Sequence, residues 1–310
     1  MPIFLLFSEN LLTISVKRIT IVSEETVSSE YLTKCKPSFT YFAFSRHIKE
    51  RRTRPMTFNY HTHTARCHHA SGDDHEYVEA AIKAGMKVLG FSDHAPYVFP
   101  GKHYYSAHRM LPEETGHYVE SIRALAKEYR DDIRILCGFE LEYYPDYHQT
   151  VMTFLQKFKP DYILLGQHFL DNELSGTPVF SDASKRSDLL LSAYVTQTIS
   201  GMATGDFLYV CHPDMVGTRF TKEAVAREFR RLCDAARRYN MPVELNLHGF
   251  ATNRYYPSKT FFEIAAKVGN KVILGVDAHA PEELADKENI AKAMKMAREL
   301  KLHVVSKPLL

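Results

Sequence analysis

From residue 57 onward the chain alternates two patterns: short continuous apolar runs, and longer stretches where apolar residues recur every three or four positions. The continuous runs read as strands buried on both faces of a parallel sheet, and the periodic stretches as helices that cover it. Strands are expected at 57–62, 87–92, 134–141, 161–167, 207–212, 242–247 and 271–276, with a short last one at 302–305. Helices are expected at 73–85, 113–129, 147–158, 184–203, 221–239, 258–268 and 282–300. The acidic start and Gly85 stop of the first helix are capping signals. A loop over 95–111, rich in Pro, Gly, His and Tyr, separates the second strand from the second helix.

Strand-helix alternation of this length gives either a closed barrel or an open doubly wound sheet. The strand ends separate the two. His61 and His63, Asp93 and His94, Glu140, His168, His212, and Asp277 and His279 all stand at the carboxyl ends of strand-like runs, and His248 ends a seventh. An open sheet gathers ligands at one switch point. Polar residues at the end of nearly every strand converge only in a ring, so an α/β barrel of seven strand-helix units is expected. Any one of these histidines is explained as well by a satisfied core position. That explanation would have to hold on six strands, always at the same end.

Side chains on a strand alternate with period two, so His61 and His63 share a face and can bind one ion; Asp277 and His279 repeat the spacing. Imidazole with carboxylate suits divalent Zn, Mn or Fe. No Ser or Cys nucleophile motif, phosphate loop or dinucleotide fingerprint occurs, so hydroxide generated by bound metal is the economical nucleophile.

Composition narrows the class further. Of 310 residues, 45% are hydrophobic, which suits one large domain with or without an appendage. Residues 1–55 hold nine Lys/Arg against five Glu, a net +4, which leaves −2 for residues 56–310 from the overall +2. Neither nucleic acid nor an acidic membrane is an expected partner for so weakly charged a body. Five cysteines with no CxxC pair argue against a disulfide framework and for the cytoplasm. No apolar run approaches the length of a membrane span. The opening MPIFLLFSEN lacks a basic start and is interrupted by Glu9, so it is not read as a signal peptide. Residues 1–55 are expected to be an unstructured or non-native leader, with Met56 the natural start and residues 56–310 the catalytic domain.

In order, HTHTARCHHA, FSDHA, GFE, GQHF, CHPD and GVDAHA resemble the motifs of the PHP (polymerase and histidinol phosphatase) superfamily of metal-dependent phosphoesterases, over about residues 57–306. The resemblance implies a distorted (β/α)7 TIM-like barrel with two or three divalent ions. It assigns His61, His63, Glu140 and Asp277 to one ion, with Glu140 bridging to a second held by His168 and His212. His69, His94 and His279 would hold the third; His69 is preferred to His68 because the family's third histidine falls eight residues after the first. Asp93 would be a proton-handling or supporting carboxylate beside His94.

Within the superfamily the chain looks most like the histidinol-phosphatase branch, through Tyr97-Val98-Phe99-Pro100-Gly101 and the stretches Glu244-Leu245-Asn246 and Arg254-Tyr255-Tyr256-Pro257-Ser258. The branch grips phosphate with arginines after the fifth and sixth strands. Arg219 fits the first position, and His248 and Arg254 are alternatives for the second. The resemblance thus implies hydrolysis of the small phosphomonoester L-histidinol phosphate, in histidine biosynthesis. The competing readings are a PHP phosphoesterase acting on nucleotides or oligonucleotide ends, and a non-catalytic binder of metal or phospho-ligand.

Overall fold

The computed structural model describes the backbone of residues 3–7, 10–15 and 18–22, and residues 56–310 apart from 103, 105, 175 and 180–186. The chain divides into two compact units, Met1–Arg51 and Arg52–Leu310. In the first, β1 (Ile3–Phe7), β2 (Asn10–Ser15) and β3 (Arg18–Val22) form an antiparallel meander. These strands fall in the segment expected as an unstructured leader; the rest of that segment, with its basic run before Met56, lies outside the described residues.

The second unit is a curled parallel sheet with eight α-helices among the described residues. One group of strands runs β4 (Phe58–Asn59), β5 (Val88–Phe91), β6 (Arg134–Leu141) and β7 (Tyr162–Leu165). The other runs β8 (Val243–Asn246), β9 (Lys271–Gly275) and β10 (His303–Val304). Nearly every strand residue is buried, as the continuous apolar runs imply.

Two strands differ from expectation. The run 57–62 shortens to two residues because Asn59 takes over backbone partners. Its amide donates to the His61 carbonyl (2.9 Å) and to Thr62 Oγ1 (2.8 Å), and its Oδ1 accepts from Val276 N–H (3.0 Å). The run 207–212 forms no regular strand: Val210 alone bridges Leu165 on one side and Val243 on the other. The segment leaves extended geometry at His212, whose φ is 24°.

The helices are α1 (Asp74–Ala84), α2 (Thr115–Glu128), α3 (His148–Leu155), α4 (Asp188–Thr204), α5 (Lys222–Arg238), α6 (His248–Ala251), α7 (Lys259–Val268) and α8 (Lys287–Glu299). A full capping box of Asp73 and Glu76 starts α1, and Gly85 at φ 83° ends it. The stretch expected as one helix over 282–300 is instead a 3-10 turn, Pro281–Ala285, followed by α8, because the Asp286 side chain caps a new start. The expected 184–186 start of α4 lies outside the described residues, and the short α6 was not expected.

Inside the curl, Tyr162 fills the centre. Its hydroxyl lies 2.7 Å from the Tyr60 carbonyl oxygen and 2.9 Å from that of Phe91. At the amino-terminal side the backbone N–H groups of Leu309 and Leu310 donate to Tyr60 Oη. The larger core packs the sheet's outer face against the helices. No helix among the described residues is long and apolar enough to cross a membrane.

Candidate metal centre

The strand ends deliver six histidines and two carboxylates to one place. His61 and His63 leave β4 on the same face, and their Nε2 atoms lie 3.1 Å apart. Asp277 Oδ1 is 3.2 Å from the first and 3.0 Å from the second, and Glu140 Oε2 is 3.6 Å from both. Two ligands about 2.1 Å from one zinc at the tetrahedral angle stand about 3.4 Å apart. These four atoms therefore have the spacing of ligands to a single ion.

The other Glu140 oxygen, Oε1, lies 2.8 Å from His212 Nε2 and 3.6 Å from His168 Nε2. His69, His94 and His279 make a further group whose ligand atoms lie within 4.8 Å of one another. Stacking of His63 on His279, with ring centroids 4.2 Å apart, joins that group to the first.

Hydrogen bonds behind the rings turn ligand atoms inward. His61 Nδ1 meets Glu244 Oε1 at 2.9 Å, and His168 Nδ1 meets Glu142 Oε1 at 2.9 Å. His69 Nδ1 meets the Cys67 carbonyl at 2.7 Å, and His279 Nδ1 that of Asp277 at 2.9 Å. All four partners are acceptors, so each ring carries its hydrogen on Nδ1 and presents an Nε2 lone pair to the centre.

The charge pattern also fits cations. Burial alone would raise Glu140, yet the surrounding His168, His61 and His94 hold it well below the usual carboxylate range. Asp277 is likewise held down against its burial, chiefly by His61 and by its bond to His63. Burial pulls His61 and His63 down, but Asp277 and the neighbouring groups outweigh it and leave both raised. Burial lowers His94 and His279, and the adjacent His63 adds to that. Glu140 Oε2 is buried with no hydrogen-bond donor, the condition of a carboxylate oxygen meant for a metal.

Two glycines make room for the carboxylates. A Cβ on Gly166 would stand 1.8 Å from Glu140 Oε1, and one on Gly275 would stand 1.7 Å from Glu244 Oε1. Strain is local to the centre as well: Asp277 adopts φ 56°, a left-handed conformation uncommon for a non-glycine residue. Asn246 Nδ2 helps hold it there through Oδ2 at 3.0 Å.

A cavity of about 430 Å³ opens over the centre. The other sequence candidates divide around it. His248 and Arg254 line the cavity, and the His248 ring stands 4.8 Å from that of His279. Arg219 is not among the lining residues; its guanidinium lies 4.1 Å from the Tyr255 ring centroid and donates to that hydroxyl. Asp93 is fully buried behind His63, accepts from Thr64 Oγ1 and His94 N–H, and does not line the cavity. A direct catalytic contact for Asp93 is therefore not what this geometry favours. Tyr97 and Phe99, read as a substrate loop, are buried and stacked on each other at 5.4 Å. The thiol of Cys67 lies within 4.8 Å of ligand atoms of His63 and His279. Cys67, Cys137, Cys211 and Cys233 are all free; Cys35 lies outside the described residues.

Sequence reasoning missed the supporting shell. Glu244 is fully buried and receives His61 Nδ1, Tyr209 Oη (3.2 Å), His212 N–H (2.9 Å) and Asn246 Nδ2 (2.9 Å). In the sequence it stands only as part of the stretch Glu244-Leu245-Asn246. The usable signal was a carboxylate inside a strand buried on both faces. Glu142 stands two residues after Glu140, on the same face of the chain, and is held down to about 2 against its burial, chiefly by Arg109.

Residues 59–248 match the PHP domain family. The chain belongs to that family. Among curated PHP relatives, a Deinococcus radiodurans protein described as "Probable histidinol-phosphatase" is 27% identical over 244 residues, 77% of this chain and 92% of its own length. The Bacillus subtilis histidinol-phosphatase is 33% identical over 122 residues, 37% of this chain and 45% of its own. Among solved structures, a histidinol phosphate phosphatase from Lactococcus lactis, complexed with zinc, L-histidinol and phosphate, superposes with TM-score 0.63 at 18% identity, covering 80% of this chain and 95% of that one. The structural neighbour supports a PHP-type α/β fold.

One buried acid ties two mouth segments of the PHP domain together. Asp214, two residues after His212, accepts from Ser258 N–H at the start of α7, and its Oδ1 has no donor. Burial pushes its carboxyl up to about 7. A folded-state pKa above the unfolded value of about 3.9 stabilises the fold fully below pH 4 and loses that contribution as pH rises through 7. The loss is roughly 4 kcal/mol, taking about 3 units at 1.36 kcal/mol each. In metal-stripped protein, Asp214→Asn should flatten the fall in denaturant stability between pH 4 and pH 8; an unchanged slope counts against this reading.

Proposed function

We propose that this chain is a metal-dependent phosphomonoesterase acting on L-histidinol phosphate. The observation that carries the reading is the set of His61, His63, Glu140 and Asp277 ligand atoms, spaced for one ion and joined through Glu140 to His168 and His212. His69, His94 and His279 would hold a third ion. Zinc, manganese or iron all suit this donor set. When bound, such ions neutralise phosphate oxygens and lower the pKa of water for attack at phosphorus.

The chain's own residues have distinct tasks in this reading. The Nδ1 anchors behind His61, His168, His69 and His279 keep the lone pairs aimed inward. Arg254 and His248, on the cavity wall, would receive the phosphate. Arg219 would join by leaving the Tyr255 ring. The same reading takes the curled sheet as a closed seven-run barrel. Support comes from the bridges Leu165–Val210, Val210–Val243 and Thr62–Ala278, the last with His63 N–H donating to the Ala278 carbonyl at 2.9 Å. Histidinol phosphate is preferred because two of the curated relatives are described as histidinol-phosphatases, and a structural neighbour of similar fold holds histidinol and phosphate. A role in histidine biosynthesis in the cytoplasm follows from that substrate.

Substrate competition tests it. Given manganese or zinc, the protein should release phosphate from histidinol phosphate at least about 100-fold more efficiently than from a nucleoside monophosphate, a difference of about 2.7 kcal/mol in transition-state binding. Equal or faster release from the nucleotide, or from a single-stranded oligonucleotide end, would overturn the substrate assignment.

A further inference from the structure

Arg109 sits on the expected loop 95–111, yet it is almost completely buried, with 3% of its surface exposed. A buried guanidinium needs paired acceptors, and it has three. Nη1 and Nη2 each donate to Glu142 at 3.0 Å, forming a two-pronged fork. Nε donates to Glu173 Oε2 at 2.8 Å, and Nη1 also reaches the Ala95 carbonyl at 2.9 Å. Its guanidinium carbon stands 5.5 Å from the Tyr97 ring centroid.

The two carboxylates face in different directions. Glu142 Oε1 is shared between Arg109 Nη2 and His168 Nδ1. Glu173 Oε1 instead receives Tyr104 Oη (3.0 Å) and Ser106 Oγ, both from the same loop as Arg109. Arg109 and Glu142 also line the cavity beside His168. One planar cation thus links the loop over the mouth to the back of an imidazole in the centre.

We infer that Arg109 is a positioning residue: it locks the Glu142 carboxylate so that Oε1 orients His168, and through Glu173 it ties that orientation to the loop residues Tyr104 and Ser106. The fork fixes the carboxylate plane, which a single contact would leave free to rotate. With the plane fixed, His168 keeps its hydrogen on Nδ1 and its Nε2 toward Glu140. Outer partners of ligating histidines typically change metal affinity 10–100-fold when removed. The inference rests on the proposed reading that His168 holds an ion.

The test uses the full chain loaded with cobalt(II), comparing the parent with Arg109→Met, Arg109→Lys and Glu173→Gln. A chromophoric chelator reads ion release, and visible absorption reads coordination. Arg109→Met should release one ion at least about tenfold faster and change the cobalt spectrum, with Arg109→Lys intermediate. Glu173→Gln leaves the fork in place, so it should raise KM with ion release within about twofold of the parent. Parent-like release and spectrum in Arg109→Met would overturn the inference. So would release from Glu173→Gln as fast as from Arg109→Met, because the loop rather than the fork would then be responsible. If Arg109→Met fails to fold, Arg109→Lys decides by the same two readouts. A parent chain that binds no ion contradicts the proposed function, a separate outcome from unchanged release in the variants.

Discussion

Glu140→Gln should lower phosphatase turnover by about 10³-fold or more and strip the protein of at least one ion while leaving the fold intact. Its two oxygens serve different neighbours, His61, His63 and His94 on one side and His168 and His212 on the other. An amide removes the negative charge shared by both groups and turns an N–H₂ donor toward one of them. Loss of several kcal/mol of transition-state charge stabilisation corresponds to about three powers of ten in rate. The fold should survive, because Glu140's side-chain contacts are with the imidazoles of the centre and its place in β6 depends on backbone pairing. Metal content by elemental analysis, circular dichroism and phosphate release check the three parts. A glutamine variant with full metal content and activity would remove Glu140 from the centre.

The second large effect belongs to a residue that need not touch substrate. Glu244→Leu should fold poorly or not at all, whereas Glu244→Gln should fold and bind metal about 10–100-fold more weakly. The carboxylate accepts four donors, two on each oxygen: His61 Nδ1 and Tyr209 Oη, then His212 N–H and Asn246 Nδ2. Leucine leaves three of them buried without an acceptor and Asn246 Nδ2 with Asp277 alone, at roughly 1–3 kcal/mol for each orphan. Set against a typical total stability of about 5–15 kcal/mol, that is enough to unfold the domain. Glutamine keeps one acceptor oxygen but forces its N–H₂ against other donors. Thermal unfolding separates the two variants; a leucine variant melting within a few degrees of the parent would show that the orphaned donors find other partners.

Legibility followed periodicity and chemistry. Continuous apolar runs located β5 to β9 because burial on both faces leaves no alternation to misread. The 134–141 strand matches residue for residue. Runs that end on a ligand were overextended: at 57–62 a side-chain amide replaces ladder hydrogen bonds, and at 207–212 the backbone turns at His212. Both departures are tertiary and leave no local mark in the sequence. Ligand-type residues were legible because each stands at the end of its run, which is also the mouth of the curl. Their supports were not. Glu142 looks like an ordinary acidic residue until the sheet curls and sets it behind His168, and Glu244 is marked only by standing inside a run buried on both faces. Arg109 sits in a loop where a solvated arginine is the usual expectation, and only the fold closes three acceptors around it. The grip on phosphate remained divided in the sequence among Arg219, His248 and Arg254, and the cavity favours the last two.

The most direct test strips the protein with chelator, restores defined zinc or manganese, and measures phosphate released from L-histidinol phosphate at each ratio of ion to protein. Hydrolysis that is absent without metal and rises to a plateau at two or three ions per chain is the predicted result. Metal-independent hydrolysis, or none at any ratio in protein that retains its ions, would contradict it.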